Sequence, residues 1–231
     1  FPPLQVGVLE GAAVAGAKLV VMENLYMYGP TGGRPIHENL PYTATGRKGH
    51  TRAAMAHDLL AAHQAGKVRV AIGRASDFYG PRALDSAVGD IVFGAAIRGK
   101  AAQALGNIDL PHTVTYVPDI ARGLAILGER DDALGSAWHI PSAPPISLRQ
   151  FIGRVYAAAG QKLRIQVASR LMVGALGLFV PIMREFSEMM YEWEEPYIVD
   201  DSRFVQTFGQ IATPLEEGID ATVRWFRDNV S

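Results

Sequence analysis

Cysteine is absent from all 231 residues. That excludes a disulfide framework, a thiolate zinc site and a cysteine nucleophile, and it supports the expectation of a cytoplasmic setting. A basic excess is missing too, because 22 Lys and Arg stand against 23 Asp and Glu for a net charge of −1. A phosphate backbone would meet no positive field, so no nucleic-acid partner is expected. Long apolar runs are also lacking. The most apolar stretch, Leu171–Met183, is interrupted by Pro181 and falls short of the roughly 20 residues a bilayer requires. It reads as a core or interface helix, and no membrane partner is expected. The start, Phe-Pro-Pro, has none of the charged and then apolar pattern of a signal peptide. A first residue other than Met raises the expectation that the natural beginning of the protein lies upstream.

What remains is an ordinary globular composition. Hydrophobic residues make up 48% and charged residues 19%, with 24 Gly and 14 Pro, which excludes disorder, collagen and coiled coil. Residues 4–16 place Leu4, Val8, Leu9, Ala12 and Ala13 on one helical face, with Gly16 as the stop. Lys18–Met22 and Val68–Ile72 are short, continuously apolar strands. Between them runs a helix over about 49–65 with Met55, Ala56, Leu59, Leu60 and His63 inward. Continuous apolar strands separated by helices indicate a parallel sheet covered on both faces. Further on, 86–98 reads as a helix, Thr113–Val117 as a strand, and Pro118 as the start of another helix. Ser147 with Gln150, and Thr213-Pro214-Leu215-Glu216, read as two helix caps. His57 and His63 stand six apart, a poor match to metal-binding helix spacing. The acidic stretch Glu185–Glu195, with Met and Trp between, reads as a solvated helix end, with a surface facing a substrate or partner as the competing role.

Four segments in order carry a resemblance: LVVMENLYMYGP (19–30), RKGHTRAAMAHDLL (47–60), VRVAIGRASDFYGP (68–81) and TVTYVPDIARGLAIL (113–127). Together they resemble the extended short-chain dehydrogenase/reductase family, in its NAD-dependent epimerase/dehydratase branch. The resemblance implies an α/β fold: a Rossmann-like parallel sheet, incomplete at the N-terminus, with a small mixed α/β C-terminal substrate lobe. Residues 1–140 would be the remainder of the NAD(P)-binding domain and 141–231 a mostly helical substrate-binding lobe. The family's glycine-rich turn, which lets a dinucleotide pyrophosphate approach a helix N-terminus, has no counterpart in the sequence. By this comparison Phe1 falls beyond the fourth strand of the family sheet. Gly29, Gly32 and Gly33 lie after a central strand and read as turn glycines.

The resemblance also implies where the chemistry sits. Family members use a tyrosine and a lysine four residues on as the proton-transfer pair, and a Ser or Thr to hold the substrate oxygen; the physical logic is acid–base catalysis by a tuned phenol. Here Asn24 falls at the Ser/Thr position, and its amide can still hydrogen-bond a carbonyl or hydroxyl. Lys48 and Arg52 keep the four-residue spacing but supply no phenol. The catalytic candidates are therefore Asn24, Lys48 and Tyr26, with Tyr42 and His50 as further sources of a proton and simple packing as the competing role for each. The cofactor-binding candidates are Met22, Lys48, Arg52, Ala75, Ser76 and Asp77, and no metal is implied. Asp119 fits a structural position of the family. The implied cofactor is NAD or NADP, and the implied partner is a small-molecule substrate such as a nucleotide sugar. A homodimer is a further family expectation. The expected activity is hydride transfer at a carbinol carbon. The alternative is a catalytically inactive NAD(P)-binding redox sensor or partner-binding module of the same fold.

Overall fold

A computed structural model describes residues 1–177 and 187–230. Its centre is a parallel three-stranded sheet of order β1-β2-β7, formed by β1 (Lys18–Glu23), β2 (Arg69–Arg74) and β7 (Ala137–His139). β1 and β2 run in register from Lys18 opposite Arg69 to Glu23 opposite Arg74. The alternation of side chains along β2 divides its apolar residues between two cores. Val70 and Ile72 face one side and pack with Leu9 of α1 (Pro2–Ala15) and Leu59 of α2 (Arg47–Gln64). Ala71 faces the other side with Ile120 and Leu127 of α4 (Val117–Glu129), while Gly73 leaves room for Leu124. Helices on both faces explain why these strands read as uninterrupted apolar runs.

The rest of the molecule alternates short strand pairs with helices. β3 (Asp77–Tyr79) pairs with β6 (Val114–Tyr116), β4 (Ala102–Leu105) with β9 (Ile165–Ala168), and β5 (Pro111–His112) with β8 (Ile146–Ser147). The helices here are α3 (Ala95–Ile97), α5 (Leu148–Ala159), α6 (Arg170–Gly177), α7 (Ser202–Phe208) and α8 (Leu215–Asn229). Their largest core joins Tyr79, Phe93, Phe151 and Phe226. Elements on the two sides of residue 140 interlock, since β4 and β5 pair with later strands and Phe208 of α7 lies 4.7 Å from the Trp138 ring. The architecture is α/β with a Rossmann-like parallel sheet.

Several local expectations need correction. On α1 the inward line is Gln5, Leu9, Ala12 and Ala13, with Leu4 and Val8 exposed. Gln5 Nε2 donates 2.9 Å to the Met55 carbonyl, which turns the helix by part of a turn towards α2. The helix expected over 86–98 is a π-turn segment, Gly89–Gly94, running into α3. There Asp90 pairs with Arg98 at 2.9 Å across the backbone of Gly94, where a Cβ would collide with the Asp90 carboxylate. The Ser147 capping box forms with Gln150 as the sequence indicates. The second cap does not: Pro214 is the N-cap of α8, and Thr213 gives both its amide and its hydroxyl to Asp119 at 2.7 Å. Glu216 instead pairs with Arg154. Of Leu171–Met183, Val173 is buried while Leu171 and Met172 are exposed, and 178–183 lie outside the described residues. The left-handed backbone at Gly29, Gly32 and Gly33 matches their reading as turn glycines.

Candidate active site

β1 and β2 end side by side, and their carboxyl ends open into a cavity of about 210 Å³. This is where ligands bind in open α/β sheets. From the end of β1 and its following turn come Met22, Glu23, Asn24, Leu25 and Tyr26. From the turn after β2 come Ala75 and Ser76, and from the start of β3 come Asp77 and Phe78. Arg52 reaches in from α2, and Glu192 and Tyr197 close the far side. A second cavity of about 510 Å³ adjoins it through Tyr26 and Arg52 and is lined also by Phe1, Arg47, Lys48 and Thr51.

The structure thus brings Met22, Asn24, Tyr26, Arg52, Ala75, Ser76 and Asp77 around one cavity and places Lys48 on the neighbouring one. Asn24 Oδ1 accepts from the Tyr26 amide at 3.4 Å, which braces the loop after β1. Ser76 is buried and donates to the Thr113 carbonyl at 2.7 Å, so its hydroxyl is committed to the wall. Asp77 pairs with His112 Nε2 at 2.9 Å. The Lys48 amide donates to Glu188 at 2.8 Å in the first turn of α2. His50 is exposed and lines neither cavity. Tyr42 accepts from Arg74 at 2.6 Å and belongs to the support beneath the cavity rather than its wall.

That support is a polar chain centred on the buried Glu23, Tyr28, Arg74 and His139. Arg74 Nε donates to Glu23 Oε2 at 3.0 Å, Nη1 to Tyr28 at 2.6 Å and Nη2 to Tyr42 at 2.6 Å. With its oxygen occupied by Arg74, the Tyr28 hydroxyl donates to His139 Nε2 at 3.1 Å, and His139 Nδ1–H donates to the Asp200 carbonyl at 3.0 Å. Complete burial pulls His139 down to about 3, so the imidazole is neutral, as this donor sequence requires. Burial raises Glu23, opposed by the Arg74 charge. Its Oε1 has no hydrogen-bond partner among the described residues.

Sequence reasoning missed Glu23, Glu192, Tyr197 and His112. Glu192 is 1% exposed, which corrects the reading of 185–195 as a solvated helix end. The signal was its neighbours, because Met190 and Trp193 on either side are core residues in the same tight turn. Burial raises the Tyr26 phenol, and the charge of Asp77 raises it further. A phenol moved that way is a poorer proton donor near neutrality. Among the described residues no cluster of metal-ligating groups occurs, and no helix is long and apolar enough to cross a membrane.

A parallel sheet with its cleft at the strand ends and helices on both faces defines a doubly wound α/β protein. The model of the NAD dependent epimerase/dehydratase family matches residues 4–140, and the chain belongs to that family. No curated protein sequence matches it. Similar solved structures include dTDP-glucose 4,6-dehydratase from Bacillus anthracis in complex with NAD, at 16% identity and a TM-score of 0.77 over 98% of this chain and 67% of that one. UDP-glucuronic acid 4-epimerase from Bacillus cereus in complex with NAD gives 16% identity, a TM-score of 0.78 and the same shares. UDP-glucose 4-epimerase from Thermus thermophilus in complex with NAD gives 20%, 0.76, 98% and 69%. The chain therefore spans about two thirds of these structures' length, and at such identities they establish the fold.

Proposed function

We propose that the cleft at the ends of β1 and β2 is the nicotinamide and substrate site of an NAD(P)-dependent oxidoreductase. It acts by hydride transfer at a carbinol carbon of a small hydroxy or keto compound, with nucleotide sugars as the substrate class. The observation that carries this reading is the convergence of Asn24, Arg52, Ser76 and Asp77 on one cavity at the strand ends, in a chain of this family. The fit to a nicotinamide is chemical: Met22 and Ala75 offer apolar surface for a ring, and the Asn24 amide and Arg52 offer polar contacts beside it. NAD(P), when bound, supplies the hydride acceptor and donor. Lys48 and Arg52, on the adjoining cavity, supply hydrogen-bond donors for ribose hydroxyls or positive charge for an anionic substrate group. Residues 1–140 then carry the cofactor side and 141–231 most of the substrate side.

A second reading has its own support. Lys48 stands where the family resemblance expects a phenol, so the chain can also be a binding module that holds NAD(P) without turnover. Fluorescence titration of the full-length protein with NADH, followed by assays of NAD⁺ reduction with UDP-glucose and UDP-glucuronic acid, separates the two. The enzyme binds and turns over, with Asn24→Ala impairing turnover. The module binds only. A protein that does neither contradicts both readings.

A further inference from the structure

Glu192 is the least expected group in the cleft. It sits in the short turn Met190–Trp193 and forms part of the cavity lining opposite Asn24 and Asp77, yet it is 1% exposed. Its Oε1 accepts from the Tyr197 hydroxyl at 3.2 Å, while Oε2 is buried without a partner among the described residues. An ionised carboxylate in that position would leave charge on an oxygen that nothing solvates. A neutral carboxylic acid fits instead: Oε1 takes the Tyr197 hydrogen bond, and Oε2 carries a proton that is sealed in the cavity wall until the carboxyl turns. We propose that Glu192 is the acid–base group of this site, its carboxyl turning into the cavity to give the Oε2 proton to the oxygen of a bound carbonyl compound and to take it back from the corresponding alcohol. The proposal rests on the hydride-transfer reading above.

The groups around Glu192 support the assignment. Burial comes first and the charge of Asp77 on β3 second in raising it well above the ordinary carboxylate range, against the Tyr197 hydrogen bond and the charge of Lys48 on α2. Tyr26 from the loop after β1, Tyr191, Arg52 of α2 and His112, which is bonded to Asp77 and stacked on Tyr197, are the other titratable or charged groups around it. The same environment that drives the phenol of Tyr26 away from neutrality drives the carboxyl of Glu192 towards it, which is how a carboxyl becomes a competent acid at neutral pH. The bookkeeping of the reaction closes. In reduction the carbonyl carbon gains a hydride, which the nicotinamide supplies, and the oxygen gains the Glu192 proton, leaving a carboxylate. Oxidation reverses both transfers.

The test is infrared difference spectroscopy on the full-length protein, wild type against Glu192→Gln, near neutral pH. The expected result is one protonated-carboxyl carbonyl band in the wild type that the variant lacks, and Asp77→Asn moves its titration to lower pH. A difference spectrum with only carboxylate bands overturns the proposal. Should the Gln variant fail to fold, Tyr197→Phe serves: loss of the hydrogen bond to Oε1 shifts the band, and an unshifted band overturns the assignment. Turnover of UDP-glucose or UDP-glucuronic acid with NAD⁺ gives the second arm. Glu192→Gln is expected to lower kcat by about 100- to 10,000-fold and to remove the corresponding limb of the pH profile while NADH binding persists. An unchanged rate and profile overturn the acid–base role alone. Failure of the full-length protein to bind NADH overturns the functional reading, and the infrared band then reports separately on whether Glu192 is neutral.

Discussion

Replacing Arg74 with methionine would remove the cation from the buried polar chain beneath the cleft. Arg74 is 0% exposed and donates to Glu23, Tyr28 and Tyr42. Methionine fills part of the space but leaves the Glu23 carboxyl without its counter-charge and two phenol oxygens without a donor. Breaking a buried pair from one side costs about 3–5 kcal/mol. For a domain of this size each kcal/mol moves Tm by roughly 2–4 °C, so a fall of about 6–20 °C is expected. The pH dependence is the sharper test. Burial raises Glu23, and the Arg74 charge is the chief opposing influence, so the variant's folded state holds the Glu23 proton to still higher pH. The unfolded carboxyl loses its proton near 4.3. Across the window between that value and the folded one, the unfolded state binds fewer protons, and stability falls as pH rises. Urea denaturation at about pH 5 and about pH 8 should therefore show a larger deficit for Arg74→Met at the higher pH. Glu23→Gln in the same background should flatten the difference. A loss below about 1 kcal/mol, or one independent of pH, would refute the account of this network.

His139 gives a prediction of opposite sign. Its folded value of about 3 lies below the unfolded 6.5, so the unfolded state takes up the proton first as pH falls. The wild type should lose about 1.7 kcal/mol from this residue between pH 6.5 and pH 5, the slope approaching 1.36 kcal/mol per pH unit below the unfolded value. Imidazole NMR checks it, and a His139 signal titrating near 6.5 would contradict the donor order from Arg74 to Asp200. Asp119→Ala removes a 1%-exposed carboxylate that holds the Thr213 amide and hydroxyl and pairs with Arg122. A loss of about 2–4 kcal/mol in denaturant unfolding is expected, and a change within about 0.5 kcal/mol would show that the clamp between α4 and α8 is dispensable.

Two of the three central strands were legible because their signals are local and repeated, whereas the short β7 was not read. Lys18–Met22 and Val68–Ile72 are apolar runs between amphipathic helices, and β1 and β2 form there with one residue or so of difference at the ends. The orientation of α1 was not legible, because a buried glutamine whose Nε2 donates to the Met55 carbonyl looks polar to any periodicity argument. The second cap failed for a related reason: Thr213 has the right chemistry, but Asp119, 94 positions away in sequence, competes for its donors. Within the cleft, residues next to the strand ends could be read from the family-like motifs. Glu192 and His112 could not, since they enter from segments whose place beside the sheet is set by tertiary packing. Arg74 illustrates the middle case: its place at the end of a strand is a sequence feature, but the two phenols and the carboxylate it holds come from the β1 strand end and the loop beyond it.

Cofactor binding by the cleft is the claim on which the functional account depends, and a fluorescence titration of the full-length protein with NADH tests it most directly when paired with Arg52→Glu. Arg52 lines both cavities, so reversing its charge should weaken NADH binding at least tenfold, or about 1.4 kcal/mol, while the far-ultraviolet circular dichroism stays unchanged. No saturable binding in the wild type, or equal affinity in a folded Arg52→Glu variant, would contradict the placement of the cofactor in this cleft.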